Sequence, residues 1–233
     1  MNFFVIFLSM NNGQYNFELT GLFKDKVVNS VLFNGWLQSM NSDFKIQQIQ
    51  IDEVNFDKTD NDPIFIKLST LTTYKNHSIP RILYLIGNKI AVIPLVKVND
   101  QLMAIVEEKP YISVGQVDLI IPQENICKKN ITENDARIVL KKHTQVTLPE
   151  TRIINLFNSL SSVNQTVTTF PSPTDQKLFV FTAFIKEVPS HALIMPLDKI
   201  LLKSKSVVTK YSITMLKEYL SQFDLRQSDT LFN

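Results

Sequence analysis

A single cysteine, Cys127, leaves this sequence without an intrachain disulfide or a multi-cysteine metal site. The reducing interior of a cell is the setting that follows. Net charge is nearly absent as well. A formal +2 over 233 residues is too small to imply nucleic acid or a membrane surface, so an electrostatic partner has to be argued from local clusters. Long hydrophobic runs are missing. The apolar opening MNFFVIFLSM is far shorter than the roughly 20 residues a membrane span needs, and it lacks the leading positive charge and cleavage site of a secretory signal. It reads as a buried strand, with no membrane span. No arginine occurs there and the first basic residue is Lys24, so no transit peptide is visible. A cytoplasmic location is the default, and a large mitochondrial complex is the alternative.

What is present is an ordinary globular composition, 44% hydrophobic and 20% charged, without repeats or low-complexity blocks. Residues 1–84 read as a β-rich region. NFFVIFLSM, FKIQQIQI and PIFIKLSTLTTY flank one helical segment, VVNSVLFNGWLQSM, with an apolar stripe of Val28, Val31, Leu32, Trp36 and Met40. Residues 85–233 read as a second domain. It opens on two strands turning at Asn99-Asp100, then VGQVDLIIPQENI, then a helix over Glu133–Val146. A helix or turn at ETRIINLFNSL follows, then a polar loop containing FPSP. The apolar strand KLFVFTAFI and a last helix from about Ser206 to Phe223 complete the chain.

Within this order, NKIAVIPLVKVNDQLMAIVEEKPYISVGQVDLIIPQENI followed by ARIVLKKHTQV resembles the Nudix hydrolase family, in its ADP-sugar and nucleoside-diphosphate-sugar pyrophosphatase branch. SVLFNGWLQSM, FPSPTDQKLFVFTAFIK and PLDKILLKSKSVVTKYSITMLKEYL are similar to that branch's leading helix, post-box loop with its strand, and last helix. The resemblance implies an α+β fold, a Nudix-like α/β/α sandwich with a mixed sheet, preceded by a small N-terminal β-rich extension. It also implies where chemistry should be. Anchoring the box on Arg137 puts Ile138, Lys141 and Lys142 where the family has glutamates and Thr144 where it has its closing glycine. Glu124 replaces another glycine, Lys129 falls near an earlier acid, and Tyr111 stands where an arginine would contact substrate. Asp175 is the sole acid in the loop after the box.

Those substitutions bear on mechanism. The family's carboxylates hold magnesium or manganese, hard ions that need oxygen ligands. A charged lysine offers no lone pair, and at 4 Å with an effective dielectric of 20 it repels a unit positive charge by about 4 kcal/mol, twice that for a divalent ion. The expectation is a catalytically inactive Nudix-like protein, without metal or other cofactor. It would serve as a structural or interaction subunit of a larger complex or a homodimer, with Tyr111, Arg137, Lys141 and Lys142 as the positions for any remaining weak nucleotide or sugar-phosphate binding. One alternative is a divergent metal-dependent nucleoside-diphosphate-sugar hydrolase with carboxylates relocated to Glu107, Glu108, Glu124, Glu133 or Asp135. Another is a metal-independent sensor of a phosphorylated metabolite.

The blander readings stand beside these. Two adjacent lysines on a helix are normally a solvated face. Lys128, Lys129, Lys141 and Lys142 make a basic patch, but without interleaved aromatics nucleic acid is not the expected partner. His143 continues the stripe of Ala136, Val139 and Leu140 and reads as a core or boundary histidine, while His77 and His191 have no spaced partners. Cys127 reads as a structural thiol. The opening run, with Phe4 and Ile6 on one alternating face, is apolar on both faces, so a strand there should leave one of them for a partner.

Overall fold

In FKIQQIQI the isoleucines stand at 46, 49 and 51, a spacing that strict alternation cannot place on one face. The computed structural model resolves this with a register shift between Ile46 and Gln48, which resets the phase and buries all three. The structure describes residues 4–10, 13–58, 61–111, 115–128, 130–148, 153–160, 167–168 and 176–222, with only the backbone for 4–10, 13–16 and 167–168. It divides into two units: residues 1–88 with 125–130 and 168–177, and residues 89–124 with 131–167 and 178–233.

The first unit is a five-stranded sheet in sequential order: β1 (Phe4–Met10), β2 (Gly13–Gly21), β3 (Phe44–Phe56), β4 (Pro63–Tyr74) and β5 (His77–Leu85). All neighbours are antiparallel except β2 and β3, which run parallel across the helical connection. Two of these strands, β2 and β5, are absent from the sequence reading. In β5 the Pro80 ring argues against a central strand; β5 tolerates it because it lies at the sheet edge.

The helical segment is not continuous. It forms α1 (Lys24–Val28) and α2 (Val31–Ser39), because Ser30 leaves the helix and caps the second one, its hydroxyl accepting from Phe33 N–H at 3.2 Å. The break shifts the helical phase. Val27, Leu32, Phe33, Trp36 and Leu37 are buried, whereas Val31 from the expected stripe is exposed. These side chains pack with Phe17, Leu19, Ile49, Ile66 and Leu68 into the core of the unit.

The second unit is built on β6 (Asn88–Val98) and β7 (Gln101–Tyr111). Their turn residues Asn99 and Asp100 have φ 48° and 61°, the left-handed pair that a tight two-residue hairpin requires. Ile90 to Val96 of β6 are buried without alternation, as expected of a strand covered on both faces. The remaining elements are β8 (Gln116–Ile120), β9 (Gln123–Ile126), α3 (Glu133–Thr144), β10 (Ile153–Asn155), α4 (Leu156–Ser159), β11 (Val167–Thr168), β12 (Lys177–Ile185), β13 (Leu193–Pro196), α5 (Leu197–Lys203) and α6 (Val207–Ser221). The sheet runs β10-β12-β6-β7-β13, with β12 and β6 parallel and the other steps antiparallel.

The segment expected as a helix or turn at 150–160 forms β10 and a single helical turn, α4, capped by Asn155. In α6, Val208, Ile213, Met215, Leu216 and Tyr219 join Ile93, Leu95, Ala104 and Phe184 in the core. Burying each such side chain contributes about 1.5–3 kcal/mol. The architecture is α+β, as anticipated, and each of the two sheets is mixed. FPSP, Asp175, Lys129 and Phe223 lie outside the described residues.

Candidate functional site

Helix α3 carries the candidate site, and its start is fixed locally. Thr132 accepts from Asp135 N–H while the Asp135 carboxylate accepts from Thr132 N–H at 3.0 Å, a capping box that satisfies two otherwise orphaned donors. Ala136, Val139 and Leu140 are buried beneath it. The last turn holds Lys141, Lys142 and His143, and cations are favoured there because the unpaired carbonyls give a helix C-terminus partial negative charge.

His143 lies between two carboxylates. Its Nδ1 is 2.8 Å from Glu107 Oε1 on β7, and its Nε2 is 2.9 Å from Glu124 Oε1 on β9. The Glu124 contact is a hydrogen bond of good geometry, whereas the contact to the buried Glu107 Oε1 is as short but less well directed. Lys142 Nζ adds a third contact, 2.8 Å from Glu124 Oε1.

The side chain of His143 is 15% exposed and that of Lys142 is 64% exposed. The pKa of His143 is raised: the Glu107 carboxylate is the main cause, burial opposes it, and Glu124 adds to it. That of Glu124 is lowered, since burial pushes upward but Lys142 and His143 together outweigh it. Lys89 is held down by burial and by Lys109, with Glu124 acting in the opposite sense. Burial raises the Tyr111 phenol, and Asp118 reinforces it.

A cavity of about 430 Å³ opens beside His143, lined by Ile105, Val106, Glu107, Glu108, Thr144, His191, Ala192 and Leu193 as well. Its origin is topological. Val106 faces Leu193 of β13, but the next residue, Glu107, faces Ile120 of β8. The strand thus changes partners where the cavity lies.

A search of protein-family models and of curated proteins finds no match to the sequence. Solved structures do match. An ADP compounds hydrolase superposes with a TM-score of 0.51 over 76% of this chain and 97% of its own, at 13% identity. The fold is Nudix-like. The C-terminal domain of mouse MUTYH, solved in complex with human PCNA, gives a weaker likeness: TM-score 0.45, 10% identity, 57% of this chain and 89% of that one.

The positions singled out within this Nudix-like frame do not all converge. Glu124 and Lys142 meet at His143, and Thr144 lines the cavity while its hydroxyl donates to Leu140 O at 2.8 Å. Ile138 is 55% exposed, Lys141 is exposed, and Arg137 Nη1 donates to Asn134 Oδ1 at 3.1 Å on the helix's own surface. Tyr111 ends β7 opposite Gln116.

Of the five carboxylates considered for relocation, Glu107, Glu108 and Glu124 surround His143 or its cavity. Asp135 is spent on the cap and Glu133 is exposed in the first turn. Among the described residues no group of three or more His, Cys, Asp or Glu is arranged to hold a metal ion. The imidazole itself separates Glu107 from Glu124, with one carboxylate at each ring nitrogen.

The sequence reads His143 as a core or boundary histidine. Its position at the helix edge is consistent with that, but it also has two acidic partners far away in sequence. No local signal announces them, because Glu107 and Glu124 reach it through strand pairing. Ala192 and Leu193 carry no sequence signal either.

Proposed function

We propose that this Nudix-like chain is not a metal-dependent hydrolase and serves as a binding or structural subunit. The observation that carries the reading is the pairing of Lys142 with Glu124. A carboxylate beside the box helix already has its charge compensated by a protein ammonium at 2.8 Å and by the His143 ring at 2.9 Å. A divalent ion approaching that oxygen would have to displace both cations, and Lys141, next along the helix, adds like charge. Ile138, at a further glutamate position of the family, supplies no ligand atom.

The test is direct. The chain is incubated with ADP-ribose, ADP-glucose or UDP-glucose and magnesium or manganese, and no cleavage above a no-protein blank is expected. Turnover approaching the enzymatic median of about 10 per second would overturn the reading.

A second reading keeps hydrolysis, with Glu107, Glu108 and Glu124 as relocated carboxylates. Glu107 and Glu108 line one cavity and Glu124 stands across the His143 ring from Glu107, which favours it. It requires manganese binding that disappears in Glu107→Gln and Glu124→Gln, measured by calorimetry.

A further inference from the structure

The cavity at the β7 partner change has the size of a small-molecule site, within the usual range of about 300–1,000 Å³. Its wall is built in two halves. Ile105, Val106, Ala192 and Leu193 supply aliphatic surface, while Glu107, Glu108, His143 and His191 supply polar groups.

The sign of charge decides what fits. His143 and Lys142 are the cations of the cluster, and both are engaged: His143 by Glu107 and Glu124, Lys142 by Glu124. Among the groups that line the cavity, the carboxylates of Glu107 and the exposed rim residue Glu108 stand against one ring held between carboxylates, His143, which leaves negative charge in excess. Lys142 and Lys89 act on Glu124, and Lys109 acts on Lys89, but none of these four residues lines the cavity. A phosphate or diphosphate group would therefore enter against net negative charge, in surroundings where effective screening is weaker than in water.

We infer that this cavity is a binding site for a small organic cation, a protonated amine or amidine on a short apolar body. Its charged end would meet Glu107 and Glu108, and its body would lie on Ile105, Val106, Ala192 and Leu193. An amidinium matches a carboxylate in planar, two-pronged geometry, and burying the apolar body supplies the remaining affinity. The inference does not depend on whether the chain hydrolyses nucleotides.

Benzamidine is the probe, with benzoate as the anion of similar shape. Isothermal titration of the full chain near neutral pH should show saturable one-to-one binding of benzamidine and none of benzoate. Glu108→Gln removes a rim charge outside the His143 contacts and should weaken binding about tenfold. Ala192→Leu should weaken it further by filling the apolar half. Equal behaviour of benzamidine and benzoate, binding by neither, or benzamidine affinity unchanged in both variants would overturn the inference. Cleavage of ADP-ribose by the same preparation would count against the proposed function and leave this result untouched.

Discussion

His143 Nε2 and Lys142 Nζ converge on one oxygen of Glu124, but His143 and Glu124 make the deeper relationship. At 2.9 Å they connect the end of α3 to β9, and the other ring nitrogen ties both to β7. Three elements that meet only through the tertiary fold are joined by one imidazole.

Stability should follow the charge of that ring. Because the His143 pKa is raised, its stabilising contribution is complete below the ordinary imidazole value of 6.5 and is lost as pH rises through the raised value. Glu124 behaves in the opposite sense: its contribution is present above the ordinary 4.5 and is lost as pH falls through its lowered value. The melting-temperature difference between the wild type and His143→Gln should be largest between those two values and shrink on the alkaline side. A difference that grows toward alkaline pH would contradict the arrangement.

Thr132→Ala should cost about 1 kcal/mol in urea unfolding, the usual value of an N-cap. Asp135→Ala should cost at least as much, since the buried Asp135 carboxylate accepts from both Thr132 N–H and the Thr132 hydroxyl. The double variant should fall short of the sum because the two residues share one capping box.

Gly21 has φ +110°, and a Cβ there would run into the Ile51 carbonyl of the paired strand β3. Gly21→Ala should destabilise the first unit by more than about 2 kcal/mol, combining backbone strain with a clash against main chain that cannot rotate away. Gly35→Ala is the control: its Cβ meets nothing within 4 Å, and it should be neutral or stabilising in the same denaturation series.

Acids placed at the three positions where the resembled family carries glutamates test the proposed function from the other side. Ile138→Glu, Lys141→Glu and Lys142→Glu together should create measurable manganese affinity in calorimetry, because they supply hard oxygen ligands on one helix. Hydrolysis of ADP-ribose should stay at the blank, since Tyr111 and Glu124 still depart from the family pattern. Recovered turnover from these three changes alone would show that the rest of the machinery is intact.

The fifth expectation concerns partners. β1 is an edge strand of the first sheet, with Phe4 opposite Leu19 and Ile6 opposite Phe17. An uncovered edge offers unpaired backbone groups to a second chain. If a second chain pairs there, the wild type should sediment as an assembly, and Phe4→Asp with Ile6→Asp should shift it to the monomer while leaving α3 and its cap folded. Unchanged sedimentation of a soluble monomer, with and without the substitutions, would remove this interaction surface.

Elements whose signals are local were legible in the amino-acid order alone. Asn99-Asp100 specified the β6–β7 turn through two residues that tolerate positive φ, and Thr132 with Asp135 specified the start of α3. The unbroken apolar run of β6 specified a strand buried on both sides, and the order of strands and helices carried the Nudix-like fold. Other features needed three dimensions. The break at Ser30 turned on one hydroxyl cap competing with a continuous apolar stripe, and β5 became legible once its proline lay on an edge. The candidate site was the least visible. Glu107, Glu124 and His143 lie far apart in the chain, and only the partner change of β7 between Val106 and Glu107, together with strand β9, brings two carboxylates to opposite sides of one ring. Local chemistry sets turns and caps because its partners lie within a few residues; a charge cluster depends on which strands pair, and that is decided when the whole sheet closes around its core.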